Sequence, residues 1–284
     1  MLKSNKEFYV LPKKGEIVVQ KAKDHSRDSI RRELNKLGLS DVELSFFEEI
    51  PSTNTEMKSR CIELGTPSKP WLFVARRQSA GRGRLGKSFE SPDAGVYMSV
   101  LLPGERDGAT LTACVAVMAA EAIEELSGVS LDIKWVNDLY LGKRKLSGIL
   151  CEGIVGRESL RLEASVIGIG VNVLKAKMSD ELSDIAVSLE EATGKKYSRS
   201  LLVARITEKI VKQMPKRSLS EIIAKYKSKS NLLGKELTVT RGNESFFARA
   251  VDINEKAELI VVKDTGETLA LNSGEVSTGI KNDN

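Results

Sequence analysis

Residues 109–126 do most to restrict how this 284-residue chain can fold. The stretch is long enough for a helix of several turns, and apolar residues fall on nearly every side of it. A helix without a polar face belongs in an interior, so the remaining elements have to be arranged around it. Its unbroken apolar run, residues 113–120, is far too short to cross a bilayer, which takes about 20 residues. The N-terminus, Met1-Leu2-Lys3-Ser4-Asn5-Lys6-Glu7, has no apolar core of a secretory signal. A cytoplasmic protein with no membrane segment is the expectation.

The elements around that helix read as a mixed α+β core followed by a β module. Residues 1–40 are charged and weakly patterned, with one short helix expected over 29–37 and ended by Gly38. A strand is expected over 42–50. A helix to about Leu64 follows, capped by Ser52 or Thr53, with Glu56 completing a capping-box spacing from Thr53. Strands at 71–75 and 95–102 flank a glycine-rich loop. Past the long helix come short strands at 133–135 and 139–141 and a tight turn at Gly142, Lys143 and Arg144. Two longer strands, 146–155 and 161–173, are joined by a polar turn that favours antiparallel pairing. Helical stretches at 180–193, 200–214 and 219–229 come next. Residues 232–276 are wholly β in pattern, with strands at 236–240, 246–253, 259–262 and 268–271 between turns. Hairpins of that kind make a small barrel with its own core. The expected organisation is an N-terminal segment (1–40), a catalytic domain (41–230) and a small C-terminal β-barrel (231–284).

Composition removes several kinds of chemistry. His25 is the single histidine, which excludes Ser-His-Asp triads, Cys-His dyads and H-E-x-x-H zinc sites. It lies in a polar stretch, where a surface position is expected. Cys61, Cys114 and Cys151 are scattered without metal-ligand spacing and read as reduced, mostly buried thiols. A net charge of +5, from 44 basic and 39 acidic residues, is too small and too mixed for a dedicated nucleic-acid binder. An enzyme of this composition works by positioning and electrostatics more than by proton shuttling.

Residues 78–87, Gln-Ser-Ala-Gly-Arg-Gly-Arg-Leu-Gly-Lys, point to what it would position. Gly81, Gly83 and Gly86 let the backbone approach a ligand closely, while Arg82, Arg84 and Lys87 place three cations among them. Such a loop suits the phosphates of a nucleotide, and it equally suits a solvated basic surface. The glycine spacing fits G-x-G-x-x-G, but Arg at two of its variable positions is odd for a pyrophosphate turn.

Two further stretches carry polar groups in otherwise apolar surroundings. In Lys134-Trp135-Val136-Asn137-Asp138, the Asn–Asp pair fits a turn between strands, and it also offers oxygen ligands for Mg²⁺. Lys145 opens a strand; it is either a solvated side chain or a compact charge facing developing negative charge. Residues 166–173 alternate glycine with apolar residues at Gly168 and Gly170, a sign of a bend or of close approach, here to a flat ring.

Taken in order, these pieces resemble the biotin protein ligases (biotin–acetyl-CoA-carboxylase ligases). The matching residues are Ser52-Thr53-Asn54, Gln78-Ser79-Ala80-Gly81-Arg82-Gly83-Arg84, Lys134-Trp135-x-Asn137-Asp138, Lys145-Leu146-Ser147-Gly148-Ile149-Leu150 and Gly168-x-Gly170-x-Asn172. The resemblance covers residues 42–175 strongly and the terminal β module loosely. It implies a class II synthetase-like catalytic domain, with a mixed, largely antiparallel sheet flanked by helices. The implied reaction joins biotin to ATP as biotinyl-5′-AMP, then moves the biotinyl group to a lysine on a carboxylase's biotin carboxyl carrier domain. ATP and biotin are thus substrates, with Mg²⁺ as the metal.

The resemblance also implies residue roles. Ser52, Thr53 and Gln78 bind the biotin head group with Asn54 supporting that wall, and Gly81, Arg82, Gly83, Lys145 and Gly148 belong to the same subsite. Arg82, Arg84, Lys87, Phe89, Asn137, Gly170 and Asn172 belong to the ATP and adenylate subsite. Arg84 and Lys145 are the expected catalytic side chains, and Asn137 or Asp138 the expected Mg²⁺ ligand. Three positions depart from the family pattern: Val136 in place of proline, Lys87 in place of arginine, and Phe89 in place of tryptophan. Residues 1–40 look too short for a winged helix-turn-helix, so the ligase-only form without DNA binding is expected, as a possible homodimer. The rival readings are a lipoate or octanoyl transferase of the same fold and a non-enzymatic biotin- or nucleic-acid-binding regulator.

Overall fold

Alternate residues of a strand face opposite ways, and in this chain that period produces one fully covered sheet face and one half-covered one. The computed structural model describes residues 24–156, 159–241 and 244–278. Helix α1 (Arg27–Lys36), strand β1 (Glu43–Ile50), helix α2 (Thr53–Leu64) and strands β2 (Trp71–Gln78) and β3 (Gly95–Pro103) lead into helix α3 (Gly108–Ser127). Strands β4 (Asp132–Lys134), β5 (Asp138–Leu141), β6 (Arg144–Val155) and β7 (Leu162–Asn172) follow. Helices α4 (Asp180–Ser183), α5 (Leu189–Thr193), α6 (Arg199–Glu208) and α7 (Leu219–Ser228) come next. Strands β8 (Glu236–Arg241), β9 (Glu244–Ile253), β10 (Leu259–Lys263), β11 (Thr268–Leu271) and β12 (Glu275–Thr278) close the chain.

The main sheet has the order β1-β2-β3-β7-β6-β5-β4. β1 and β2 are parallel, with α2 as their crossover, and the other pairs are antiparallel. On one face Leu72, Val74, Val96, Val100, Ile167 and Val171 pack with α3. Every residue from Ala113 to Ala120 is buried, as a helix without a polar face requires. Asp107 caps α3 by accepting from Thr110 N at 2.9 Å, and Gly128 ends it at φ +74°. On the opposite face Trp71, Phe73, Leu101 and Val166 pack with Met57 and Cys61 of α2. Among the described residues no helix is long and apolar enough to cross a membrane.

Several expected elements differ in detail. Ser52, not Thr53, caps α2 by accepting from Thr55 N, and Glu56 pairs with Arg60 at 2.8 Å instead of closing a capping box. The stretch 180–193 is two short helices, because the backbone between them is drawn alongside β6: Lys145 N donates to Ile185 O and Val187 N to Lys145 O. α6 stops at Glu208 and continues as a π turn and a 3₁₀ turn, where Pro215 has no N–H to extend a helix.

The C-terminal module is a five-stranded antiparallel sheet in the order β11-β10-β9-β8-β12. It lacks the separate core expected of it. Leu237, Val239, Ala248, Ala250, Leu259 and Val261 belong to the same buried cluster as α3. Trp135 Nε1 donates to Ala257 O at 2.9 Å across the junction, and Lys227 pairs with Asp252.

His25 overturns its expected surface position: it is fully buried. Its backbone N–H donates to Ser200 Oγ at 2.9 Å, its ring meets Phe46 edge-on, and Asp24 beside it accepts from Arg199 N and Ser198 Oγ. Burial, then the Arg199 cation, pushes the imidazole pKa down to about 3. Residues 1–23 of the expected N-terminal segment lie outside the described residues.

A buried neutral histidine has a sign that can be checked. Between pH 6.5 and 3 the unfolded chain binds the His25 proton and the folded chain does not. The stabilising contribution is therefore complete above pH 6.5 and is lost as pH falls, at about 1.4 kcal/mol per pH unit. His25 sits at φ +65°, a conformation asparagine tolerates. We expect His25→Asn to be less stable at pH 7, and its urea midpoint to change much less than that of the wild type between pH 6.5 and 5.

Candidate active site

β2 ends at Gln78 and the chain re-enters the sheet at Gly95, so the glycine–arginine segment has to double back over the half-covered face. It does so by bonding to itself. Gly83 N donates to Lys87 O at 2.7 Å, Lys87 N to Arg84 O at 3.1 Å and Phe89 N to Gly81 O at 2.9 Å. The turn places Leu85 at φ +54° and Gly86 at φ +75°. Between this loop and the sheet lies a cavity of about 360 Å³.

Its floor is set by register. Gly170 faces Gly148 across β6–β7 and Tyr97 across β3–β7. A Cβ on Gly170 would come within 2.5 Å of the Phe89 ring, and one on Gly148 within 3.2 Å. The flat group these glycines admit is therefore the loop's own Phe89, which also meets Tyr97 edge-on at 6.3 Å between centroids. Gly168 makes room for Asn54 in the same way: a Cβ there would lie 2.4 Å from Asn54 Oδ1.

One end of the cavity is neutral and hydrogen-bonded. Thr53 N donates to Gln78 Oε1 at 2.9 Å, Gln78 Nε2 donates to Ser91 Oγ at 3.0 Å, and Ser91 Oγ donates to Phe89 O at 2.9 Å. Asn54 Nδ2 donates to Leu150 O at 3.2 Å and to Glu152 Oε2 at 2.9 Å, while Ser99 Oγ lies 2.6 Å from Asn54 Oδ1. Both ends of the Asn54 amide are thus committed to the protein, which makes it a wall.

The other end is cationic. Arg84 Nη1 donates to Asn137 Oδ1 at 3.3 Å, and Asn137 Nδ2 donates to Ile149 O at 2.8 Å. Lys145 Nζ lies 2.8 Å from Asp138 Oδ1, off the hydrogen-bond direction, so the pair is a charge contact. The Lys134 ammonium stands 5.7 Å from the Tyr140 ring centroid. Five cations (Arg82, Arg84, Lys87, Lys134 and Lys145) and one carboxylate, Asp138, line the cavity among the described residues. A cavity neutral at one end and cationic at the other fits a ligand that joins a neutral polar group to a polyanion. Among the described residues no group of three or more His, Cys, Asp or Glu side chains is placed to hold a metal. Asn137 and Asp138 offer one amide and one carboxylate oxygen.

Of the side chains and glycines expected in the site, Ser52, Thr53, Asn54, Gln78, Arg82, Gly83, Arg84, Lys87, Phe89, Asn137, Asp138, Lys145, Gly148 and Gly170 all line this cavity. Gly81 does not, and a Cβ there would lie 2.3 Å from Phe89 O. Asn172 does not either. It borders a separate cavity of about 200 Å³, with Leu174 and Ala186, and among the described residues Tyr97 and Leu182 alone line both spaces. Val136 is buried and follows a cis peptide bond from Trp135. Sequence reasoning missed Ser99, Glu152 and Lys58. Ser99 and Glu152 are polar residues inside the apolar runs of β3 and β6, a pattern that marks an inward-facing polar group. Burial pushes the Glu152 pKa up, but hydrogen bonds from Lys58 and Asn54 and the charges of Lys58 and Arg82 outweigh it and hold the carboxyl below its usual range.

Residues 46–172 match the Biotin/lipoate A/B protein ligase family, and residues 232–279 match the Biotin protein ligase C terminal domain. The bifunctional ligase/repressor BirA of Bacillus subtilis (strain 168) is 30% identical over 275 residues, covering 93% of this chain and 82% of that protein. The biotin–[acetyl-CoA-carboxylase] ligase of Mycobacterium tuberculosis is 25% identical over 259 residues, covering 87% of this chain and 93% of that protein. The structure of the biotin protein ligase from Aquifex aeolicus in complex with biotin and ATP is similar at a TM-score of 0.72 and 29% identity, covering 83% of this chain and 97% of that one. By fold, cavity and these matches, the chain belongs to the biotin protein ligase family.

Proposed function

We propose that this chain activates biotin with ATP and transfers it to a lysine of a biotin carboxyl carrier domain. The observation that carries this reading is convergence: Arg82, Arg84 and Lys87 from the loop and Lys145 from β6 line one cavity whose far end is neutral. The match to a C-terminal domain named for biotin protein ligases favours biotin over lipoate.

In the first step a biotin carboxylate oxygen bonds to the α-phosphorus of ATP and the bond to pyrophosphate breaks. Two anions have to meet, so stabilisation comes from cations aimed at the oxygens where charge accumulates. Lys145, steadied by Asp138, takes that position between the two ends. Arg82, Arg84 and Lys87 gather the polyphosphate, and Asn172 with the smaller cavity beside Tyr97 takes the adenine. Asp138 and Asn137 would hold a Mg²⁺, which would supply further positive charge beside the polyphosphate. In the second step the acceptor lysine's amine bonds to the acyl carbon, AMP leaves with the bonding pair, and the amine's proton passes to water. The nucleophile comes from the partner protein, so the cavity needs neither imidazole nor thiolate. The loop excludes water from the mixed anhydride between the steps.

Three outcomes are expected. Isothermal titration should show biotin binding and no comparable lipoate binding; the reverse result would end the biotin reading. Lys145→Ala should lower biotin-dependent ATP–pyrophosphate exchange by about 100-fold, the size of one lost transition-state donor, with an unchanged circular dichroism spectrum. Arg84→Ala should let biotinyl-AMP escape, seen as biotin on lysines of bystander proteins mixed with the enzyme, whereas the wild type labels the carrier domain alone.

A further inference from the structure

Glu152 lies outside both the cavity lining and the roles assigned above, yet it touches α2 and the glycine–arginine loop. Its Oε2 accepts from Asn54 Nδ2 of α2 at 2.9 Å. Its Oε1 accepts from Lys58 Nζ, also of α2, at 2.9 Å and from Arg82 Nη1 of the loop at 3.3 Å. Its side chain is 16% exposed, so this charge is partly withdrawn from water. The cations and the amide keep it ionised despite that burial.

Proton counting shows how far this carboxylate reaches. Ser99 Oγ sits 2.6 Å from Asn54 Oδ1 and 2.7 Å from Thr53 Oγ1, and a hydroxyl has one proton to give. Asn54 Oδ1 can only accept, so Ser99 donates to Asn54 and accepts from Thr53. Thr53 Oγ1 also lies 3.2 Å from Gln78 Oε1, but with its one proton given to Ser99 the donor to Gln78 is Thr53 N, at 2.9 Å. The chain runs one way: Thr53 to Ser99, Ser99 to Asn54, Asn54 to Glu152. An anion at the end of a one-way chain polarises every bond before it, and it decides which way the Asn54 amide points. Through Gln78 and Ser91 the same network reaches Phe89, while Arg82 returns to Glu152 directly. Both limbs of the glycine–arginine loop are tied to the neutral wall through this network.

From this geometry we infer that Glu152 is a positioning residue: it sets the Asn54 wall of the biotin end and holds Arg82, and so couples occupancy of the biotin end to closure of the adenylate loop. The two holds differ in strength. Asn54 and Lys58 are at 2.9 Å, whereas Arg82 reaches one oxygen at 3.3 Å and the other at 3.5 Å, from a side chain that is 48% exposed. Arg82 can leave for a phosphate without stranding the carboxylate, because Lys58 stays. The inference rests on the ligase reading and deepens it.

The test uses the full chain in biotin-dependent pyrophosphate exchange, together with release of labelled biotinyl-AMP in the absence of carrier. Glu152→Ala should raise the biotin KM by about tenfold, the size of one lost hydrogen bond to a charged group. The ATP KM should stay put and adenylate release should quicken. Glu152→Gln keeps an amide oxygen for Asn54 but loses the charge that holds Arg82. It should restore most of the biotin KM while release remains fast. Adding Glu152→Gln to Arg82→Ala should speed release no further than Arg82→Ala alone. A Glu152→Ala enzyme whose kcat and two KM values move together, or a Glu152→Gln enzyme that repairs both properties or neither, overturns the coupling. If the wild type itself shows no biotin-dependent exchange, the ligase reading fails instead, so the two failures are distinguishable.

Discussion

Close packing leaves little empty space in a folded chain, so a cavity persists only where something prevents collapse. In this protein that something is the pairing of β6 with β7, which sets Gly148 against Gly170 and turns Gly168 to the same face. With no side chains to rise from those positions, the sheet presents a low floor, and what comes down to meet it is Phe89 of the loop and Asn54 of α2. Larger residues there would push back both the lid and the wall. The loop, the wall and the cationic end each take their place relative to that floor.

The opposite face shows the complementary constraint. α3 is buried on every side from Leu111 to Ala120, and the layer that covers it orients β3, β6 and β7, whose other edges of alternation then face the cavity. The affinity of the site for negative charge follows from arithmetic as much as from any single contact: five cations and one carboxylate share the lining among the described residues. A reaction between two anions is served by such a field, and the protein holds it in place with neutral or oppositely charged partners such as Asn137 and Asp138.

Legibility in the sequence tracked how local the deciding interaction was. α3, the strand pair β6–β7 and the antiparallel tail were readable because their patterns are set by neighbours in sequence. Fourteen of the expected site positions line one cavity, and they could be picked out because their residue types and order are unusual together. His25 was misplaced because its burial depends on Ser200 and Phe46, far away in the chain. The break within 180–193 was invisible for the same reason: its cause is the backbone of Lys145. Glu152 and Ser99 escaped notice because their roles come from converging partners on α2 and the loop. The close approach of Phe89 O and Ser91 Oγ to Gly81 comes from a later turn of the chain and has no mark in the local pattern.

The shared interior of the two sheets has one more implication. Leu237, Val239, Leu259 and Val261 pack into the cluster that contains α3, and the Trp135 indole is pinned to Ala257. Trp135 sits one residue from Val136 and two from Asn137, so the tail anchors the very turn that presents the cationic end. A chain released from synthesis before its last strands are made would leave that turn unsupported and its apolar underside wet. The cationic end of the cavity thus leans on a contact made 122 residues further along the chain.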